Sequence, residues 1–389
     1  MAGEDKKRVL ILTADAGMGH RSAAEAIKKA LEIQYGDQFD ISINNPLNHP
    51  KVPSIIHDSQ SDYDEIVKKL PELYKLGYKM SDATLPVTLM EGGFTMLLLS
   101  VLRTILKDAT PDLIILTYPM YQAPLSFIQQ SSKKKVPIMT VVTDLVTVHQ
   151  VWFNTGVTCC TIPTESVRQR ALKAGLSKEQ VIQTGIPVDP EILALKHKGK
   201  SELREEFGWE KEPTTLLVLG SPRIPSLTDI IQTLNYSGHD IQFALVTGGS
   251  DTLNDKFKAI DWQHPITLYD FVDFVPKLMR AADVILCKAG GLVVSESLAS
   301  GLPLILVYAI PGQEKGNVDF VVENGAGQLC QTPFEVLKTL AEWLKNDRVI
   351  LRTVAKKAEK LGHADAAHKI AEEACNILGS QKQAITKDS

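Results

Sequence analysis

Short, fully apolar runs alternate with helical patterns along most of this chain. Arg8–Thr13, Leu113–Thr117, Ile138–Thr143, Thr215–Leu219, Gln242–Thr247, Asp283–Cys287 and Leu302–Val307 read as buried strands, with shorter ones at Phe39–Asn44 and Thr267–Tyr269. Between them Ala23, Ile27, Ala30 and Leu31 fall on one face of a helix from Arg21 to Tyr35. Further helices are expected over Ser166–Gly175, after Ser226, near Leu253–Ala259 and through most of Pro333–Ile377. Strands that alternate with helices predict parallel sheets joined by right-handed crossovers. The Gly/Pro-rich stretch Thr184–Pro190 interrupts the pattern, which then starts afresh. The expected architecture is α/β, with two Rossmann-like parallel-sheet domains facing a cleft. Their expected bounds are residues 1–186 and 187–378, with a frayed tail over 379–389.

One stripe is broader than a single buried face requires. Phe94, Leu97, Leu98, Val101, Leu102 and Ile105 recur at helical spacing, widened by Met96 and Leu99. Such a helix either dips into the interface of a bilayer or is sandwiched between a sheet and its neighbours. Glu91, Gly92, Gly93 and Arg103 interrupt the apolar region Leu85–Leu106, so no membrane-spanning helix is expected. The start of the chain reads as a first strand rather than a secretory signal. The basic run Lys133–Lys135 is a solvated loop or a contact for anionic lipid head groups.

Composition narrows the classes. At 389 residues, two domains are the default, and a net charge of −4 argues against a general nucleic-acid binder. The 5 cysteines show no CxxC spacing, as expected of reduced thiols.

The candidate chemistry lies where strands end. After the strand ending at Cys287 the chain reads Lys288-Ala289-Gly290-Gly291 and enters a helix at Leu292. Glycines allow close approach of the backbone to a ligand, and a helix start offers N–H groups and a positive dipole end, which together suit phosphate. Glu296, about one turn on, suits vicinal hydroxyls, as do Gln313 and Glu314 after the next strand. Diphosphate, ribose and hexose fit this set. Arg223, in Gly220-Ser221-Pro222-Arg223, is either a diphosphate partner or a surface arginine, and Phe271-Val272 could hold a base through backbone groups. In the first half, the loop Asp15-Ala16-Gly17-Met18-Gly19-His20 lacks GxGxxG and so disfavours a dehydrogenase. His20 at the helix start, oriented by Asp15, is a candidate general base; the alternative is a histidine capping its own helix. Asp144, just past a strand end and followed by His149 and Trp152, is a candidate for catalysis or for capping.

The segments ADAGMGHRSAAEAI (14–27), PDLIILTYPMYQAPL (111–125), VVTDLVTVHQVWF (141–153), TGIPVDP (184–190), KAGGLVVSE (288–296) and PGQEKGNVDFVVENGAG (311–327) occur in one order. With them the chain resembles the monogalactosyldiacylglycerol synthase and diacylglycerol glucosyltransferase group, relatives of the peptidoglycan transferase MurG within the GT-B superfamily. The resemblance implies an inverting, metal-independent enzyme that needs no cofactor. It would move hexose from UDP-galactose or UDP-glucose to the free hydroxyl of diacylglycerol, in peripheral contact with the cytoplasmic face of the cell membrane. It implies that Glu296 binds the uridine ribose, that Gly290, Gly291 and Leu292 hold the diphosphate, and that Gln313 and Glu314 read the sugar, with Asn317 nearby. His20 and Asp15, with Gly17 and Gly19, match the acceptor-side loop, and Asp144 and His149 match a TD…H segment near Trp152. Its rivals are a MurG-like transferase with a polyprenol-linked acceptor, a UDP-GlcNAc 2-epimerase, and a non-catalytic nucleotide-sugar-binding module.

Overall fold

The computed structural model describes residues 6–15, 18–52, 98–133 and 135–385. The chain forms two units, Met1–Pro190 together with Asp365–Ser389, and Glu191–Ala364.

In the first unit, strands β1 (Lys7–Leu12), β2 (Phe39–Asn44), β3 (Leu113–Leu116), β4 (Ile138–Val141), β5 (Cys159–Ile162) and β6 (Val181–Gln183) form one sheet in the order β2-β1-β3-β4-β5-β6. Every pairing is parallel. Successive strand residues point to opposite faces, so each strand feeds two cores. Leu10, Leu12, Ile114 and Leu116 enter one of them, beside the helices over 98–109 and Gln122–Gln130. Val9, Ile11, Leu113 and Ile115 enter the other, against the helix Met18–Tyr35. A strand buried on both faces has no polar alternation, which is why these runs are continuously apolar.

The last helix, Ala366–Ile385, returns to this unit. Ala367, Ile370, Ala371, Ala374 and Leu378 are at most 3% exposed and pack with Ala26, Ile27, Ala30 and Leu31. The expected domain bounds therefore change. The first unit ends at Pro190 rather than 186, the second ends at Ala364 rather than 378, and helix runs on to Ile385, into the expected frayed tail. Small side chains on both helices let their backbones approach closely, and periodicity alone says nothing about which sheet a helix covers.

The broad apolar stripe is corrected as well. Leu98, Val101 and Leu102 are 0% exposed and Ile105 is 7%, all within the first core. Ser100, Arg103, Lys107 and Asp108 form the exposed face of the same helix. Leu98 and Val101 are thus core residues of an amphipathic helix whose exposed face, among the described residues, is polar. Phe94 and Leu97 lie outside the described residues, as does Gly17. No helix among the described residues is long and apolar enough to cross a membrane.

The second unit repeats the plan. Strands β7 (Thr214–Leu219), β8 (Ile241–Val246), β9 (Ile266–Tyr269), β10 (Val284–Lys288), β11 (Leu304–Tyr308) and β12 (Gly327–Leu329) run in the order β12-β11-β10-β7-β8-β9, again all parallel. In each sheet the strand order reverses beside the unit's first strand, between β1 and β3 and between β7 and β10. Ligands of open α/β sheets bind at such switch points, beyond the carboxyl ends of the strands.

Candidate functional site

At the switch point of the first unit the helix Met18–Tyr35 places Gly19 and His20 in its first turn. Thr117 is the first residue beyond β3 and Thr143 the second beyond β4, and both converge on His20. The imidazole Nδ1 lies 2.8 Å from the Thr117 carbonyl oxygen and 2.8 Å from Thr143 Oγ1. A carbonyl only accepts, so Nδ1 carries the ring proton and Nε2 keeps its lone pair. Tyr118 stands edge-on to the ring with centroids 5.1 Å apart, and Trp152 lies 6.1 Å away. Burial pulls the His20 pKa down to about 4, against the smaller opposing effect of the Thr117 carbonyl, so the ring is neutral at pH 7. A neutral imidazole with a free Nε2 lone pair is what a general base requires.

The Asp15 carboxylate binds three side chains of its own unit. It accepts from Arg21 Nε at 2.9 Å and Arg21 NH2 at 3.2 Å, from Asn45 Nδ2 at 2.9 Å and from Asn48 Nδ2 at 3.1 Å. These partners tie the loop after β1 to the end of β2, and they hold the Asp15 carboxyl below the usual range despite the opposing effect of burial. The contacts of the His20 Nδ1 are instead a main-chain carbonyl and a threonine hydroxyl.

Asp144 accepts from the Trp152 indole Nε1 at 2.6 Å, and burial raises its pKa to about 6 against that hydrogen bond. Trp152 is 1% exposed and belongs to the core, so its expected membrane contact gives way to a packing and anchoring one. His149 caps the short turn Gln150–Trp152, its Nδ1 accepting from the Val151 N–H at 3.2 Å. The structure thus gathers His20, Asp144 and Trp152 into one cluster, with His149 on the turn that carries the tryptophan. The two titratable groups separate in pH: an activity limb set by His20 falls through about pH 4, and one set by the Asp144 charge through about pH 6. We expect kcat/KM to hold from neutral pH down to about 5 and to fall through about 4, because the base is lost only when Nε2 is protonated. A limb centred near 6 in the pH–rate profile would reassign control to Asp144.

In the second unit, β10 delivers Lys288-Ala289-Gly290 to the helix Gly291–Ala299. Gly290 is the N-cap, and the first intrahelical bond runs from the Val294 N–H to its carbonyl at 3.0 Å. The N–H groups of Gly291, Leu292 and Val293 precede that bond, no side chain caps them, and the first turn carries no acid. A Cβ on Gly290 would lie 2.9 Å from Lys288 Nζ. The ammonium of Lys288 therefore sits against the turn, held 2.7 Å from Glu314 Oε1. The other Glu314 oxygen accepts from the Ile310 N–H at 2.8 Å, and Asn317 Nδ2 donates to the Ala289 carbonyl at 2.9 Å. Glu314 and Asn317, each 5% exposed, brace the glycine turn from beneath. Glu296 and Gln313 are half-buried at its margin.

The neighbouring strand β7 pairs with β10 through Val218 and Leu286, which brings the Gly220–Arg223 turn alongside. Gly220 is required there, since a Cβ would meet the Val246 carbonyl oxygen at 2.9 Å. The Arg223 N–H donates to Ser221 Oγ at 3.3 Å, closing the turn that carries its side chain. Phe271, 71% exposed, and Val272 leave the carboxyl end of edge strand β9, two strands from β7. Sequence reading missed Lys288, although it opens the KAGG turn, and it missed Thr117 and Thr143 as partners of His20. Among the described residues no group of three or more His, Cys, Asp and Glu is placed to hold a metal ion.

The comparisons with known proteins decide the family. A model described as monogalactosyldiacylglycerol (MGDG) synthase matches residues 20–188, and the glycosyltransferase family 28 C-terminal domain matches 218–370. A probable chloroplastic monogalactosyldiacylglycerol synthase of Glycine max is 35% identical over 381 residues, covering 95% of this chain and 71% of the relative. The chain belongs to the monogalactosyldiacylglycerol synthase family. The chloroplastic synthase of Spinacia oleracea, 34% identical over 94% of this chain and 72% of its own length, agrees. Membership makes the protein a glycosyltransferase. Among solved structures, Acinetobacter baumannii MurG superposes with a TM-score of 0.60 at 16% identity, covering 94% of this chain and 98% of that one. A UDP-GlcNAc 2-epimerase from Neisseria meningitidis, bound to UDP-GlcNAc, gives 0.60 at 15%, covering 95% and 100%. These likenesses establish the GT-B fold and do not separate transferase from epimerase; the sequence relatives do that. The relatives are named chloroplastic, which overturns the expected placement on the cytoplasmic face of a cell membrane.

Proposed function

We propose that this chain transfers galactose from UDP-galactose to the free hydroxyl of 1,2-diacylglycerol, with inversion, to give a β-monogalactosyldiacylglycerol. Galactose is favoured over glucose by the names of the family relatives. The single observation that carries the reading is the 2.8 Å contact of His20 Nδ1 with the Thr117 carbonyl oxygen, which makes Nδ1 the donor and leaves the Nε2 lone pair of a neutral ring for an acceptor hydroxyl.

The chemistry then assigns roles on each unit. His20 Nε2 takes the proton of the acceptor hydroxyl as that oxygen attacks C1 of the hexose. The bond from C1 to the diphosphate oxygen breaks, and its electron pair leaves with UDP. The charge that grows on the diphosphate is met by the N–H groups of Gly291, Leu292 and Val293, by the dipole of their helix, and by the Lys288 and Arg223 cations. Glu296 accepts from the ribose hydroxyls, Gln313 reads the sugar, and Glu314 and Asn317 hold the turn in register. Phe271 and Val272 lie where a base could rest after β9. Diacylglycerol is a membrane lipid, so the reaction is carried out in peripheral contact with a bilayer. The apolar residues of the 98–109 helix do not make that contact.

Glu296 gives a direct test of the donor half. Glu296→Ala should weaken UDP binding by about 10-fold, the scale of hydrogen bonds lost to a charged group, while binding of inorganic pyrophosphate, which lacks the ribose, is unchanged. Calorimetric titration that finds wild-type UDP affinity in this variant would remove Glu296 from the ribose site.

A further inference from the structure

We infer that Thr143 is a positioning residue for His20, its hydroxyl acting with the Thr117 carbonyl to hold the imidazole as an Nδ1–H base. The inference rests on the proposed role of His20. Two oxygens stand 2.8 Å from one ring nitrogen, and the carbonyl among them can only accept. The ring proton must therefore lie on Nδ1, and the hydroxyl, with two lone pairs, shares it as a second acceptor. In many enzymes a carboxylate fills this place and fixes the tautomer of a catalytic histidine. Here the loop carboxylate that could do so, Asp15, is bound to Arg21, Asn45 and Asn48. Asp144, next to Thr143 in the chain, is turned to the Trp152 indole.

The fold explains why a threonine takes the role. Strands β3 and β4 are parallel neighbours in the register Leu116 with Thr140, so Thr117 and Thr143 emerge at the same end of the sheet, at the switch point beside His20. Thr143 is 7% exposed and Thr117 0%, which keeps water from competing for the ring N–H. When Nε2 takes the acceptor proton, positive charge spreads to Nδ1 and its N–H becomes a stronger donor. Two oxygens then meet it where one would remain without the hydroxyl. Loss of the hydroxyl leaves the Thr117 carbonyl alone to hold the ring, so the imidazole turns out of that contact part of the time and then adopts the Nε2–H tautomer, which has no lone pair to offer the acceptor.

The test compares Thr143→Val, which keeps the side-chain shape, with Thr143→Ser, which keeps the hydroxyl. Turnover of UDP-galactose with diacylglycerol vesicles should fall about 10- to 100-fold in kcat for the valine variant, with both KM values within about 3-fold of wild type. The serine variant should recover kcat to within about 3-fold. Nitrogen-15 histidine NMR, with the His20 signals assigned by their loss in His20→Ala, should show the Nδ1–H tautomer in wild type and a mixture of tautomers in Thr143→Val. A merely structural role would not produce the split between kcat and KM, the serine rescue or the tautomer change. Wild-type kcat in the valine variant, a serine variant as slow as the valine one, or an Nε2–H tautomer in wild type overturns the inference. Should Thr143→Val fail to fold, the serine kinetics and the wild-type tautomer decide it. Activity surviving in His20→Ala would instead overturn the reading of His20 as the base. An inactive His20→Ala beside a fully active Thr143→Val removes only the role of Thr143.

Discussion

His20→Ala is expected to lower kcat by about 100- to 10,000-fold while leaving UDP affinity within about 2-fold of wild type. The size follows from the loss of a positioned base whose lone pair is available at neutral pH, because burial keeps the ring unprotonated down to about pH 4. The selectivity follows from topology, since His20 belongs to the first sheet and the glycine turn that would take the diphosphate belongs to the second. Steady-state kinetics paired with UDP titration would check both halves. A variant that turned over like wild type would return the base role to Asp144, whose raised pKa makes it the next candidate. Asp15 is a poorer one, since its lowered pKa makes it a weaker base.

The largest stability loss at a single methyl group should come from Gly362→Ala, at about 2–3 kcal/mol. Gly362 follows the helical stretch Pro333–Leu361, which is kinked at Lys345–Arg348, and its backbone φ of −74° is ordinary, so strain in the turn is not the cause. A Cβ there would fall 2.2 Å from the Leu298 carbonyl oxygen and 2.6 Å from Ala299 Cα. Both are main-chain atoms at the end of the helix that begins at the Gly290 turn, and main chain cannot swing aside as a flexible side chain does. Relief must come from moving that helix, so weakened UDP binding should accompany the lower unfolding midpoint. Gly199→Ala is the control: nothing lies within 4 Å of its Cβ, and it should cost less than about 1 kcal/mol as a changed helix cap. Urea unfolding of the two variants checks the difference, and equal losses would refute the close-approach argument.

The strands were legible because both faces of each sheet are covered. A run such as Leu113–Leu116, buried throughout, leaves a continuous apolar signature whose ends fall within a residue or two of the expected ones. Phe39–Asn44 matched at both ends. What pattern could not supply was partnership. The stripe of Ala367, Ile370, Ala371 and Ala374 marks an amphipathic helix, yet only folding shows that it covers the first sheet. The broad stripe at Leu98, Val101 and Leu102 looked suited to a bilayer, and its polar opposite face, Ser100, Arg103 and Lys107, was outweighed by residues further upstream. At the proposed site, Asp144 and Gly290 lie just past strand ends, and His20 and Glu296 in the helices that follow, the places where a parallel sheet gathers chemistry-bearing residues. The orienting group of His20 was not legible, because every residue has a carbonyl and nothing in a sequence marks the one from Thr117. The inward use of Glu314 was hidden for a similar reason. A carboxylate beside a glutamine suggests hydroxyl recognition until Lys288 is seen to occupy it.

Galactosyl transfer itself is the claim on which the rest depends. Purified protein incubated with radiolabelled UDP-galactose and diacylglycerol vesicles should form a labelled lipid that co-migrates with β-monogalactosyldiacylglycerol. Labelled UDP-glucose in its place should give far less product, and His20→Ala should give almost none. No labelled lipid from UDP-galactose under conditions where the protein binds UDP would contradict the account.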